Sequence, residues 1–162
     1  MCIFGSMSIG FYVVDDPYGF LCNFSPHGFE VDGVYWPTVE HYFQAQKFKG
    51  TPHEEQMQKI RALRRVKDTK RMGHDRRLAI RADWEDVKVD VMRLAVRRKF
   101  ETHDDLRAQL LETGDEDLVE TAPSDWFWGC GADGTGENHL GRVLMDLRAS
   151  LRDDRSGASG GH

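Results

Sequence analysis

The hydrophobic positions fall into short runs of different spacing, and together they predict a mainly α fold with a few short strands. The longest periodic segment runs from Trp84 to about Thr102. There Trp84, Val87, Val91 and Ala95 form one stripe, and Met92, Val96 and Phe100 lie beside it. Recurrence at three and four residues gives a helix one apolar face to set against a core. Asp83 stands where it can cap this helix. Further helices are expected from Thr38, as N-cap, to about Lys49, from His53 to about Arg65, and from about Lys67 to Met72. Two more are expected from His103 to Thr113 and from about His139 to Leu151. Gly50 with Pro52, Gly73 and Gly114 supply the stops.

β-Rich stretches are fewer and shorter. IGFYVV (9–14) and DLVETA (117–122) read as strands, and FEVDGVYW (29–36) places Asp32-Gly33 between two β-rich runs, a strong hairpin signal. Pro37 closes that hairpin. PSDWFWGCGADGTGEN is a loop dense in Gly and Trp, and no internal repeat is visible. The terminal DDRSGASGGH is too polar and glycine-rich to order itself, so the expected organisation is a flexible 1–8, one domain over 9–152 and a disordered 153–162.

Length and composition agree with a single core: the chain has 162 residues, of which 40% are hydrophobic and 30% charged. No run of about 18 apolar residues occurs, and MCIFGSMSIG lacks a basic region followed by an apolar run, so a cytoplasmic protein away from the membrane is expected. Cys2, Cys22 and Cys130 are odd in number and scattered, which suits free thiols. With no CxxC and no ligand spacing among the histidines, neither a metal nor any other cofactor is expected.

Charge changes the picture more. The net charge is −5, yet the stretch from Arg61 to Arg81 carries nine Arg or Lys against Asp68 and Asp75, a local +7 that leaves −12 elsewhere. An acidic body repels polyanions in general, while one basic segment can still hold a few phosphates. The pattern favours a phosphorylated ligand over stable non-specific nucleic-acid binding. The competing reading is a solvated helical face.

Two places carry candidate chemistry. In WPTVEHYFQAQKF (36–48) the polar Glu40, Gln44 and Lys47 share one side of a helix over roughly 10 Å of axial rise. They can line a pocket wall, with Glu40 kept ionised by the helix N-terminus. An ordinary i,i+4 surface stripe has the same spacing. In the late loop, Gly129, Gly131, Gly134 and Gly136 let the backbone approach a ligand, Trp126 and Trp128 offer faces for stacking, and Asn138 begins the last helix. Neither a P-loop nor a dinucleotide fingerprint is present. The bland alternative is an irregular loop pinned by two tryptophans.

NFSPHGFEVDGVYWPTVEHYFQAQKF, MGHDRRLAIRADWEDVKVDVMRLAVRRKF and WGCGADGTGENHLGRVLMDLR resemble, in order and spacing, the three signature blocks of the NADAR, or YbiA-like, family. The resemblance covers nearly everything from about Gly10 to Leu151. It implies a multihelical single domain and N-glycoside hydrolysis. Family members cleave ribosylamino-pyrimidine phosphates of riboflavin synthesis, or remove ADP-ribose from the amino group of guanine in DNA or nucleotides. In each, C1′ of a phosphorylated ribose is joined to an exocyclic amine.

By the same resemblance Glu40 is the catalytic acid/base. Lys47, the lysine of the QAxKF block, either attacks C1′ to form a Schiff base or only binds phosphate or pairs with Glu40. Asn23, Trp36, Gln44, Arg71, Arg76, Trp128, Gly129 and Asn138 are implied for substrate binding, the two arginines toward phosphate. Trp84 is expected in the core more than over the pocket. Cys130 departs from relatives that carry an acid after the WG pair; if that acid assists the leaving group there, the role here falls to Glu40 or is lost. A non-catalytic ADP-ribose-binding module and an antitoxin-like protein partner are the rival classes.

Overall fold

The structure is a computed structural model that describes residues 7–158. In chain order it contains β1 (Ser8–Phe11), a 3₁₀ turn (Gly19–Leu21), β2 (Phe29–Val31), β3 (Val34–Trp36), α1 (Val39–Gln46), α2 (Gln56–Arg61), α3 (Val66–Gly73), α4 (Trp84–Thr102), α5 (Asp104–Glu112), β4 (Asp117–Glu120) and α6 (His139–Ala158). The fold is mainly helical, as the patterning predicts. The chain forms two compact units, one from Asn23 to Thr102 and the other from the segments up to Cys22 and from His103 onward.

In the Asn23–Thr102 unit, β2 and β3 form the expected antiparallel hairpin, with Phe29 opposite Trp36. Its turn residues Asp32 and Gly33 have φ of 51° and 75°, the left-handed pair that matches the twist of the flanking strands. The chain then enters α1 through Thr38, whose hydroxyl accepts the His41 N–H at 3.2 Å. Such a cap is worth about 1 kcal/mol. Every residue of α1 is buried, because α2, α3 and α4 all pack against it. The core around it includes Phe29, Phe43, Ala45, Phe48, Ile60, Met92, Val96 and Phe100.

Several boundaries differ from the sequence reading. Regular α1 hydrogen bonding stops at Gln46, and the chain tightens through Phe48 N–H to Ala45 O and Lys49 N–H to Gln46 O before Gly50 turns it at φ 73°. The stretch 52–55 is turn, not helix, so α2 begins only at Gln56. Lys99 lies on the buried face of α4 at 1% exposure, where its Nζ donates to Ser25 Oγ at 2.6 Å. A lysine at that position breaks the apolar stripe, and only a partner distant in sequence makes its burial tolerable.

In the other unit β1 and β4 pair in parallel, Ser8 opposite Asp117 through Phe11 opposite Glu120. The pairing is shorter than either predicted strand, and Tyr12 and Val13 run on exposed. α6 packs on β4 and α5 through Leu140, Val143, Leu144 and Leu147. It corrects the expected tail: helix continues to Ala158 instead of ending near Leu151. Arg152 fastens the added turns to Asp115 at 2.7 Å and to the Gly114 carbonyl, and no proline interrupts the segment. Residues 1–6, with Cys2, and 159–162 lie outside the described residues.

Candidate active site

α1 brings Glu40, Gln44 and Lys47 together inside the Asn23–Thr102 unit. They are 6%, 2% and 6% exposed, so the solvated-stripe reading does not hold. Glu40 sits in the first turn of α1, where its N–H is taken by the Asn23 carbonyl at 3.2 Å. Gln44 Nε2 donates to Glu40 Oε1 at 2.8 Å. A buried carboxylate needs such donors, since burial otherwise favours the neutral acid.

Lys47 follows the last residue of α1 and keeps helical backbone angles, φ −57° and ψ −30°, so it extends the stripe. Its Nζ donates to the Gly73 carbonyl at 3.2 Å and lies 6.0 Å from the Phe43 ring centre and 5.8 Å from that of Trp84. Phe43 and Trp84 pack together at 5.0 Å. These walls desolvate the amine and pull its pKa from 10.5 down to about 8; Glu40 opposes the shift and Lys70 adds to it. At neutral pH an appreciable fraction of Lys47 is therefore an uncharged amine. Trp84, 6% exposed, is a core residue as expected and a wall of the lysine site as well.

His41 completes the local network. Its Nε2 lies 2.9 Å from the Leu63 carbonyl, which can only accept, so Nε2 carries the proton and Nδ1 accepts from the Thr38 hydroxyl at 2.8 Å. Burial lowers the His41 pKa, and the neutral ring ties α1 to the turn after α2.

The other residues implied for substrate binding are placed more variously. Asn23 lies at the start of α1 through its carbonyl, while its side-chain amide approaches Met92 Sδ at 3.6 Å. Trp36 is 5% exposed, edge-on to Tyr42 at 5.4 Å. Arg71 and Arg76 are exposed, and Arg71 reaches Asp68 at 3.5 Å. Much of the basic segment is locally neutralised in the same way, through Arg65 with Asp68, Arg77 with Asp75 and Arg81 with Asp83.

The glycine-rich loop belongs to the other unit. There Asn138, at φ 52°, accepts the Glu120 N–H on Oδ1 and donates Nδ2 to the Leu118 carbonyl, both at 2.9 Å. Its side chain thus stitches β4 to the start of α6. Gly129 is packed so closely that a methyl group would stand 2.9 Å from the Glu120 carbonyl. Trp128 is half-buried, edge-on to Phe127 at 4.9 Å, and Phe127 stacks on His139 at 4.2 Å. Trp126 lies against Gly131 and is 49% exposed.

Sequence reasoning missed Gly73, which reads along the chain as a helix stop, and Lys99, masked by an otherwise regular apolar stripe. No local pattern marks either, because what each touches is far away in sequence. Among the described residues no cluster of three or more His, Cys, Asp or Glu forms a metal set, and no helix is long and apolar enough to cross a membrane.

Comparison with known proteins agrees with this architecture. The chain is 49% identical to an N-glycosidase of Nostoc punctiforme over 90% of its own length and 94% of that protein's. It is 48% identical to the N-glycosidase YbiA of Escherichia coli strain K12 over 88% of each. The NMR structure of E. coli YbiA superimposes with a TM-score of 0.85, covering 99% of this chain and 92% of that one at 43% identity. A riboflavin biosynthesis protein of Zea mays is 41% identical over 88% of this chain and 25% of its own length. The profile described as NADAR domain matches residues 10–152, and the chain belongs to that family.

Proposed function

We propose that the protein is an N-glycosidase that cleaves the bond between C1′ of a 5′-phosphorylated ribose, or of ADP-ribose, and the exocyclic amine of an aminopyrimidine or guanine. The observation that supports this most is a buried carboxylate and a buried amine on one face of α1, the amine's pKa brought down to about 8. A module that only held ADP-ribose would have no use for a desolvated lysine. The relatives named N-glycosidase support the bond class, and the one named for riboflavin biosynthesis supports an aminopyrimidine among the leaving groups.

The chemistry divides between the two side chains. Uncharged Lys47 attacks C1′, and Glu40 takes the proton that Nζ sheds and passes it to the departing exocyclic amine, so the C1′–N bond to the ring breaks as one to Nζ forms. The C1′–O4′ bond then opens, O4′ taking the remaining proton of Nζ, and the ring-opened sugar is held as an imine on Lys47. Water, deprotonated by Glu40, then adds to C1′, and the amine of Lys47 leaves to restore the free enzyme. Exposed cations of the 61–81 segment are suited to the sugar's phosphates.

The test is incubation with a guanine-ADP-ribosylated oligonucleotide and, separately, with a ribosylamino-pyrimidine phosphate, measuring released ADP-ribose or ribose phosphate. Release from either supports the reading and names the preferred leaving group. Binding without release from both would assign the chain to ADP-ribose recognition instead.

A further inference from the structure

Gly73, the last residue of α3, meets the α1 stripe twice. Its carbonyl accepts Lys47 Nζ at 3.2 Å. On its other side, a methyl group in place of the α-hydrogen would stand 1.9 Å from Gln44 Oε1 and 2.8 Å from Gln44 Cδ. The backbone here is helical and not in the left-handed region, so alanine is conformationally permitted. What demands glycine is space for one amide.

That amide has a single workable orientation. With Nε2 toward Glu40, as observed, the carboxylate gains a donor. Turned over, two acceptors would face each other. The observed orientation leaves Gln44 Oε1 buried without a hydrogen-bond partner, against the Cα of Gly73. A native structure tolerates such an orphaned acceptor where something else is gained, and the gain here is the placement of Glu40.

We infer that Gly73 is a positioning residue for the Glu40–Lys47 pair. Its missing side chain admits the Gln44 amide that orients the carboxylate, and its carbonyl holds the lysine amine. Gln44 thereby acts through Glu40, not as a ligand contact. The inference rests on the proposed roles of Glu40 and Lys47. It differs from simple close packing of α3 on α1, in which the demand for glycine would not depend on residue 44.

A double-mutant cycle of Gly73→Ala and Gln44→Ala separates these, read both as kcat and KM on whichever N-riboside the wild type cleaves and as the urea midpoint. Gly73→Ala alone should lower kcat on the order of 10–100-fold, the scale of a roughly 1 Å misplacement, with KM changed less than about threefold. Added to Gln44→Ala, it should cost less than about twofold more, because the amide is gone and the Cβ that remains at residue 44, 3.0 Å from the new methyl group, has to give by only a few tenths of an ångström. Equal losses in both backgrounds, a wild-type kcat in Gly73→Ala, or a Gln44→Ala defect confined to KM would each overturn the inference. If Gly73→Ala alone fails to fold, Gln44→Ala should restore folding, and failure to do so also overturns it. Should the wild type cleave neither substrate, the proposed reaction falls, yet the steric coupling of residues 73 and 44 still shows or fails in the urea midpoints. Coupling in urea without coupling in kcat would make Gly73 a packing residue only.

Discussion

The amine of Lys47 lies 5.8 Å from the centre of the Trp84 ring, inside a wall that Trp84 forms with Phe43. An amine so placed loses hydration in its charged form, and Lys47 therefore releases its proton near 8 in the folded chain, against 10.5 for an ordinary lysine.

This makes Lys47 a stability liability with a defined pH window. Below about 8 both folded and unfolded chains hold the proton, and folding bears the full cost of a buried ammonium. Between about 8 and 10.5 the folded state has shed a proton that the unfolded state keeps, so stability rises with pH across that interval. Lys47→Met should then be more stable than wild type at pH 7, by about 1–3 kcal/mol, since lowering a pKa by one costs about 1.4 kcal/mol in the charged form and the lost bond to Gly73 offsets part of the gain. The variant should also lack the rise. Urea denaturation at pH 7 and pH 9.5 checks both, and a Lys47→Met protein less stable at pH 7 would refute the account.

Glu40→Gln should fold and fail to turn over. Glutamine keeps the volume and an oxygen to accept from Gln44 Nε2, but it cannot carry a proton to the leaving amine. Acid/base groups commonly contribute about 10²–10⁴-fold in rate. The expected result is a loss of kcat in that range with the circular dichroism spectrum unchanged; full activity would end the assignment of Glu40.

Local chemistry announced part of this in the sequence. Asp32-Gly33 fixed the hairpin because few residue pairs accept two positive φ values in succession, and Thr38 marked the start of α1 because a hydroxyl there satisfies a helix N–H. The spacing of Glu40, Gln44 and Lys47 was legible for the same reason, as helical geometry is local. Whether that stripe faced water was not legible, since its burial comes from α2, α3 and α4. The parallel pairing of β1 with β4 joins segments from opposite ends of the chain, and neither strand's pattern says which partner it takes. Asn138 shows a further limit: an asparagine opening a helix beside a glycine loop suggests a ligand contact, and no local pattern says that its side chain also bonds Leu118 and Glu120.

The chemistry of Lys47 is decided by trapping. If its amine attacks C1′, sodium borohydride added during turnover should reduce the imine and leave the sugar on the peptide containing Lys47, seen as a mass increase. The yield should climb with pH toward a half-maximum near 8, where half of the amine is uncharged. Lys47→Arg should be inactive and untrapped, because a guanidinium keeps the positive charge and can still donate to Gly73 but stays protonated and has no nucleophilic form. A lysine that merely steadied a phosphate or Glu40 would tolerate arginine and trap nothing. The lowered pKa favours the covalent course: holding a phosphate calls for a charged ammonium, and burial behind Phe43 and Trp84 disfavours that form. An active Lys47→Arg enzyme with no borohydride adduct would remove the Schiff base from the mechanism and leave water to attack C1′ directly.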